Sequence, residues 1–317
     1  MKFNSPVCYW GYYYMHFLFR NDKLHICNID MEDSKMAIGE KYKELRKEQS
    51  ITLAQAAKGI CATSNLSRWE NGKITLEFNK VLALLSRIHI SPTEFIGYAD
   101  IVQENDLPTE ILKAIEEEDA SAIKKLIHVQ LDKYHAKRNA HDLYLAVILC
   151  NQYLLIKGEN LLPFSDQMHL YTYLSKITLW STYNLGFFGN CVFMIKTDKV
   201  YAIAMNVLNN QDLIQKNTSS IGLISMMGVL SDATISLIFR KDIIHAHKLL
   251  DALQGVELPQ FLEFFKVTLT FLEKTLQYLK TKDEDPILSF INNAQNMGMT
   301  ESADTFRDVF EKVKILN

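Results

Sequence analysis

The sequence predicts an all-α chain in two parts, a small N-terminal bundle of short helices followed by a longer series of packed helical hairpins. Three observations carry that prediction. Apolar residues recur at helical spacing from Ile38 onward, glycine and proline are scarce at 12 and 6 in 317 residues, and no alternating run long enough to compete as a strand follows Asp106. The length exceeds that of one ordinary domain, and 48% hydrophobic with 22% charged residues is the composition of a soluble globular protein. The chain divides on this reading into an extra stretch at 1–35, a small helical bundle at 36–100, and a helical-repeat region at 101–317.

In the bundle, Ile38, Tyr42 and Leu45 fall at i, i+4 and i+7, giving a first helix with Lys41, Lys43, Arg46 and Lys47 on its wet side. It should stop near Gln49 and Ser50. Thr52 offers a capping oxygen to a short second helix of Leu53, Ala56, Ala57 and Ile60, whose alanines admit another helix closely. Gly59 marks the turn. Leu66 and Trp69 then share one side of a third helix, so Thr63, Ser64, Ser67 and Arg68 project from the other, where a DNA major groove would lie. Arg68 is the strongest of these, because a guanidinium can fork onto a guanine edge or clamp a phosphate. Thr52 and Lys73 are expected on phosphates. The plain alternative for Thr63, Ser64, Ser67 and Arg68 is a solvated helix face. Asn71 and Gly72 close the helix with residues that tolerate positive φ, and Val81, Leu84, Leu85 and Ile88 form a packing helix that runs to Ser91 and Pro92. Between Met36 and Ser91 nine lysines and arginines face five acids, whereas the whole chain carries −3, so the bundle holds the positive charge.

Beyond Asp106 amphipathic segments are expected at 109–118, 120–137, 139–157, 165–178, 199–209, 219–239, 241–253, 257–279, 286–297 and 301–314, with breaks at Gly158, Pro163, Gly186 and Gly189. Helix pairs recur about every 40 residues and the stretch from Asp242 to Leu250 is similar to the second half of a tetratricopeptide-type unit, so the region reads as a tetratricopeptide-like α-helical superhelix. A concave surface of that kind can hold an extended peptide. The aromatic stripe Trp180, Tyr183, Phe187 and Phe188 is expected in the core.

Cys8, Cys27, Cys61, Cys150 and Cys191 are odd in number, widely spaced and without a C-x-x-C pair, which excludes a disulfide framework or zinc finger and fits buried thiols in a reducing cytoplasm. Cys61, inside the turn, is the one placed for a redox role. His245 and His247 sit two apart on a helix and point to different faces, so no metal is expected. No Gly-rich phosphate loop, G-x-S-x-G or Cys-His pairing gives catalysis or a cofactor a foothold. The aromatic run Tyr9–Phe19 is too short to cross a bilayer and lacks a signal-peptide cleavage site, so no membrane is expected. Met36 is expected as the natural first residue, with an aromatic docking arm as the rival reading of what precedes it.

Ser67-Arg68-Trp69-Glu70-Asn71-Gly72-Lys73 resembles the tail of the recognition helix in Xre-type helix-turn-helix domains, and the resemblance implies that Arg46 pairs with Glu70. The turn departs from that pattern, with Gly59-Ile60-Cys61 one residue short and Ala62 where a capping serine is frequent. With the Pro92-Thr93-Glu94-Phe95 exit from the bundle and, above all, the run from Trp180 to Asn190, the chain from Met36 onward resembles the Rgg/GadR/MutR regulators. That resemblance implies a cytoplasmic homodimer that binds double-stranded operator DNA and senses a short hydrophobic signalling peptide in its helical repeats. Asn151, Asn184 and Asn190 are the candidate peptide-binding residues, because an amide can donate to and accept from a peptide backbone at once. Two short recognition helices are also needed mechanically, since one contacts too few base pairs to select a site in a genome. The contending function is a helical-repeat interaction scaffold whose bundle does not read DNA sequence.

Overall fold

The computed structural model describes residues 31–99, 107–217 and 220–315. The expectations for Tyr9–Phe19, Cys8 and Cys27 lie outside these residues. The described chain is all-α, with 17 α-helices, one short 3-10 turn and no strand, and it groups into two compact units, 31–99 and 107–315.

The first unit is a helix-turn-helix bundle of α1 (Met31–Glu48), α2 (Leu53–Ala57), α3 (Thr63–Glu70), α4 (Phe78–Arg87) and α5 (Pro92–Tyr98). Ser50 at φ +58° turns the chain out of α1. Thr52 then caps α2 in a reciprocal box with Gln55, accepting from its backbone N–H at 3.2 Å while the Gln55 side chain takes the Thr52 N–H at 2.8 Å. Gly59 at φ +77° makes the turn, and Ala56 and Ala57 are buried where α2 meets α3 and α4. Tyr42, Leu66, Trp69, Leu84, Leu85, Ile88 and Phe95 fill the core. Tyr42 ties three elements together, its ring 5.2 Å from that of Trp69 and its hydroxyl donating to the Leu84 carbonyl at 3.2 Å. Arg87 donates to the carbonyls of Gln55 and Lys58 at 2.9 and 3.1 Å, satisfying the exposed end of α2. One expectation is corrected here. The packing helix α4 stops at Arg87, and Ser91 and Pro92 open α5 through a second capping box with Glu94, so Phe95 belongs to the bundle's core and not to an exit from it.

The second unit is the tetratricopeptide-like part: α6 (Thr109–Glu116), α7 (Ala120–Lys137), α8 (Ala140–Lys157), α9 (Phe164–Leu174), α10 (Thr182–Gly189), α11 (Thr197–Asn209), α12 (Gln211–Asn217), α13 (Ser220–Phe239), α14 (Ile243–Gln254), α15 (Phe264–Thr281), α16 (Asp285–Asn296) and α17 (Thr300–Ile315). Tight links force neighbours into hairpins. Between α7 and α8 the link is Arg138 at φ +53° and Asn139, which caps α8 on the His141 N–H at 3.0 Å.

Several segments differ from the sequence reading. Gly186 does not break the chain but lies inside α10, whereas Gly189 is the last residue of that helix, so the break falls there as expected. A Cβ on Gly189 would sit 3.1 Å from Val229 of α13. From Gly222 onward α13 is not amphipathic but buried on nearly every side, since α10, α11, α12, α14 and α15 pack on its successive faces. Among the described residues α13 is the one helix long and apolar enough to cross a membrane, and 89% of its apolar window is buried inside the protein. Segment 257–279 splits at Pro259 into the 3-10 turn Gln260–Leu262 and α15, and α12 was not foreseen. Trp180, Phe187 and Phe188 are in the core as expected, whereas Tyr183 is 40% exposed. Trp180 keeps its indole N–H satisfied on Asn206 Oδ1 at 2.7 Å.

Candidate nucleic-acid interface

Helix α3 is presented by its buried side. Leu66, Trp69 and Glu70 face inward, and Glu70 meets Arg46 of α1 in a fork, Nε to Oε1 at 2.7 Å and Nη2 to Oε2 at 2.8 Å. The remaining Arg46 nitrogen, Nη1, donates to the Ile51 carbonyl at 2.7 Å, so the buried pair is hydrogen-bonded on both partners. The Arg46–Glu70 pairing implied by resemblance is therefore present.

The C-terminal end of α3 closes as a Schellman turn, with Gly72 at φ +70°, its N–H on the Trp69 carbonyl at 2.9 Å and the Lys73 N–H on the Arg68 carbonyl at 2.8 Å. Asn71 works differently from expectation. Its φ is −108°, and its side chain does the joining, donating to the Ser67 carbonyl at 2.6 Å and accepting from Lys43 Nζ at 2.8 Å.

Thr63, Ser64 and Arg68 are exposed, and their side chains make no hydrogen bond among the described residues. Ser67 is half-buried beside Asn71. Thr52 is exposed, with its hydroxyl committed to the capping box, donating to Gln55 Oε1 at 2.7 Å. Lys73 is exposed just past the Schellman turn. Ala62 is the N-cap and makes no side-chain bond, so neither Thr63 nor Ser64 substitutes as the cap, and the first backbone N–H groups of α3 stay open. Asn65, which the sequence reading passed over, is exposed on the same helix. The signal was present, because an asparagine amide matches the N6 and N7 edge of adenine.

In the second unit the candidate asparagines separate into two places. Asn151 of α8 and Asn190 at the end of α10 are buried and joined, Nδ2 to Oδ1 at 3.3 Å, and Asn190 also donates to the Gly186 carbonyl at 2.9 Å. Asn184 sits elsewhere, half-buried, donating to the Leu179 carbonyl at 3.1 Å and accepting from the Tyr173 hydroxyl at 3.5 Å. Burial pushes the Cys150 thiol up to about 12 and raises that of Cys191 further, while Cys61 is half-buried in its turn. His245 is held by Asp242 at 2.9 Å and stacked on Tyr201, and among the described residues no three His, Cys, Asp or Glu side chains could share a metal ion.

Comparison with known proteins adds a second, independent line. A family model described as the C-terminal domain of the HTH-type transcriptional regulator Rgg matches residues 124–308, and a helix-turn-helix model matches residues 43–95. The fold is similar to that of the SHP pheromone receptor Rgg2 from Streptococcus dysgalactiae, at 17% identity and a TM-score of 0.66 over 87% of this chain and 99% of that one. It is also similar to a bacterial peptide pheromone/receptor complex, at 14% identity and a TM-score of 0.65 over 88% of this chain and 98% of that one. The PrgX/cCF10 complex gives 14% identity and a TM-score of 0.64 over 89% and 94%. A search of curated proteins returned no match.

Proposed function

Because the chain belongs to the Rgg family of helix-turn-helix transcriptional regulators, we propose that α3 enters the major groove of an operator as part of a cytoplasmic homodimer and that a short peptide bound by the helical repeats controls the outcome. The observation that carries the reading is the division of α3 into two sides. Trp69 and the buried Arg46–Glu70 fork fix one side to the bundle, and Ser64, Asn65 and Arg68 stand in solvent on the other. Fixing the helix in advance means that little conformational freedom is lost when it docks.

On this proposal Arg68, with Thr63, Ser64 and Ser67, reads base edges, and Asn65 joins them. Lys73 and Thr52 rest on phosphates, and the open N–H groups at the start of α3 favour a phosphate as well. A dimer supplies two such helices to a two-fold site. For the peptide, support comes from the fold shared with solved pheromone receptors and from the half-buried Asn184, whose amide suits a peptide backbone, whereas Asn151 and Asn190 are buried and bonded to each other.

The test is chromatin immunoprecipitation in the source bacterium followed by titration of the recovered fragments at fixed salt. The reading expects one sequence, near two-fold in symmetry, to be bound at least ~1,000-fold more tightly than bulk DNA. Equal, salt-sensitive binding to all fragments would instead make the protein a scaffold.

A further inference from the structure

One cavity of about 430 Å³ opens between the end of α7 and α9, within the range of small-ligand sites. Arg138, His169 and Lys176 supply its polar wall, and Tyr134, Tyr173 and Ile177 its apolar one. No carboxylate lines it. The acid beside His169 is already occupied. Asp166, 1% exposed, takes His135 Nε2 on both oxygens at 2.8 and 3.0 Å and lies 3.7 Å from His169.

Arg138 is aimed by its neighbours. Its guanidinium lies 5.2 Å from the centre of the Tyr134 ring, and Nη1 donates to His169 Nδ1 at 3.4 Å. Neither Arg138 nor Lys176 has an ion-pair partner among the described residues, so two exposed cations face one concave, aromatic-walled space. Such a wall concentrates the field on an anion. Behind Tyr173 the apolar side runs into the core, to Phe187 at 5.6 Å, and from Phe187 to Tyr144 and Tyr183 at 4.9 and 6.4 Å. The Tyr173 hydroxyl meets Asn184, which brings one of the candidate peptide-binding amides to the cavity's rim.

We propose that this cavity is the anchor for the C-terminal carboxylate of a short apolar peptide. Arg138 and Lys176 hold the carboxylate, the last side chain lies on Tyr134, Tyr173 and Ile177, and Asn184 meets the backbone that leads away. The proposal rests on the reading that the helical repeats bind a peptide, and it adds which end is held, where and by what. A guanidinium matches a carboxylate with two parallel bonds, and aromatic walls favour an anion that carries an apolar body over a bare inorganic one. A side-chain carboxylate offers the same chemistry, so the test separates the two sources.

The experiment is calorimetric titration of the full-length protein with three probes: acetyl-Leu-Phe as the free acid, acetyl-Leu-Phe amide, and acetyl-Asp-Phe amide. The expected result is saturable binding of the acid, at least ~10-fold weaker binding of both amides, and loss of that preference in Arg138→Gln and Lys176→Gln. Acetyl-Asp-Phe amide binding as well as the acid would keep the carboxylate site and assign it to an acidic side chain. Equal affinities for the acid and acetyl-Leu-Phe amide, no saturable binding of any probe, or an unchanged preference in both glutamine variants would overturn the proposal. The readout is occupancy of the cavity and not regulation. A protein whose operator binding ignored every peptide would still return it, so the two failures are distinguishable.

Discussion

Gly39 of α1 and Trp69 of α3 meet backbone to backbone: a Cβ built on Gly39 would lie 2.1 Å from the Trp69 carbonyl oxygen and 2.8 Å from its carbonyl carbon. No side chain can bend away from such a contact, because the opposing atoms are main chain. The first helix therefore grips the recognition helix at three points, Gly39 on Trp69, Tyr42 on the Trp69 ring, and Arg46 on Glu70.

Gly39→Ala is expected to force α1 and α3 apart and to destabilise the bundle by about 3 kcal/mol or more, the upper range for overpacking, because only backbone can yield. Thermal unfolding followed by circular dichroism checks this. A melting curve identical to the wild type would show that the contact is looser than described.

Glu70→Gln should cost the bundle roughly 3–5 kcal/mol, because it leaves the Arg46 guanidinium buried without its counter-charge. Pairing it with Arg46→Met removes the stranded cation, so the double variant should recover most of the loss. Urea titration of the two single variants and the double closes the cycle. Additive losses would mean that the two side chains are not coupled.

Asp232, deep in α13, has its carboxyl pushed well above the ordinary value of 3.8 by burial alone. A raised acid holds its proton in the folded state, so the stability it allows is complete below 3.8 and is lost as pH rises toward the folded-state value. Asp232→Asn should consequently melt higher than the wild type at neutral pH, and the gap should close as pH falls toward the ordinary carboxylate value. Parallel melting curves across that range would contradict the sign.

Legibility in the sequence followed the kind of physics involved. The elements of the bundle were readable because caps and turns are local: Thr52, Gly59 and Gly72 each do at their own position what their chemistry suggests. The Arg46–Glu70 fork came only through resemblance, since nothing in the spacing of one helix shows what a partner 24 residues away presents. Glycines misled in the other direction. Gly186 looks like a break, yet it lies inside α10, while Gly189 ends that helix and also admits Val229, and a lone sequence cannot tell a stop from a crossing. Gly39 was overlooked for the same reason. The cavity beside Arg138 was invisible because its walls come from α7 and α9, some 30 residues apart and joined only by packing.

The exposed side of α3 bears the central claim, and Arg68→Ala tests it most directly because that side chain is exposed and makes no hydrogen bond or ion pair among the described residues. Operator binding should be measured by fluorescence anisotropy at several salt concentrations, with Lys73→Ala alongside. The account predicts that Arg68→Ala loses about 1–3 kcal/mol per half-site on the operator with an unchanged melting temperature. It predicts that Lys73→Ala weakens all sequences alike and lowers the salt slope by about one unit. Wild-type operator affinity in a folded Arg68→Ala protein would contradict the account.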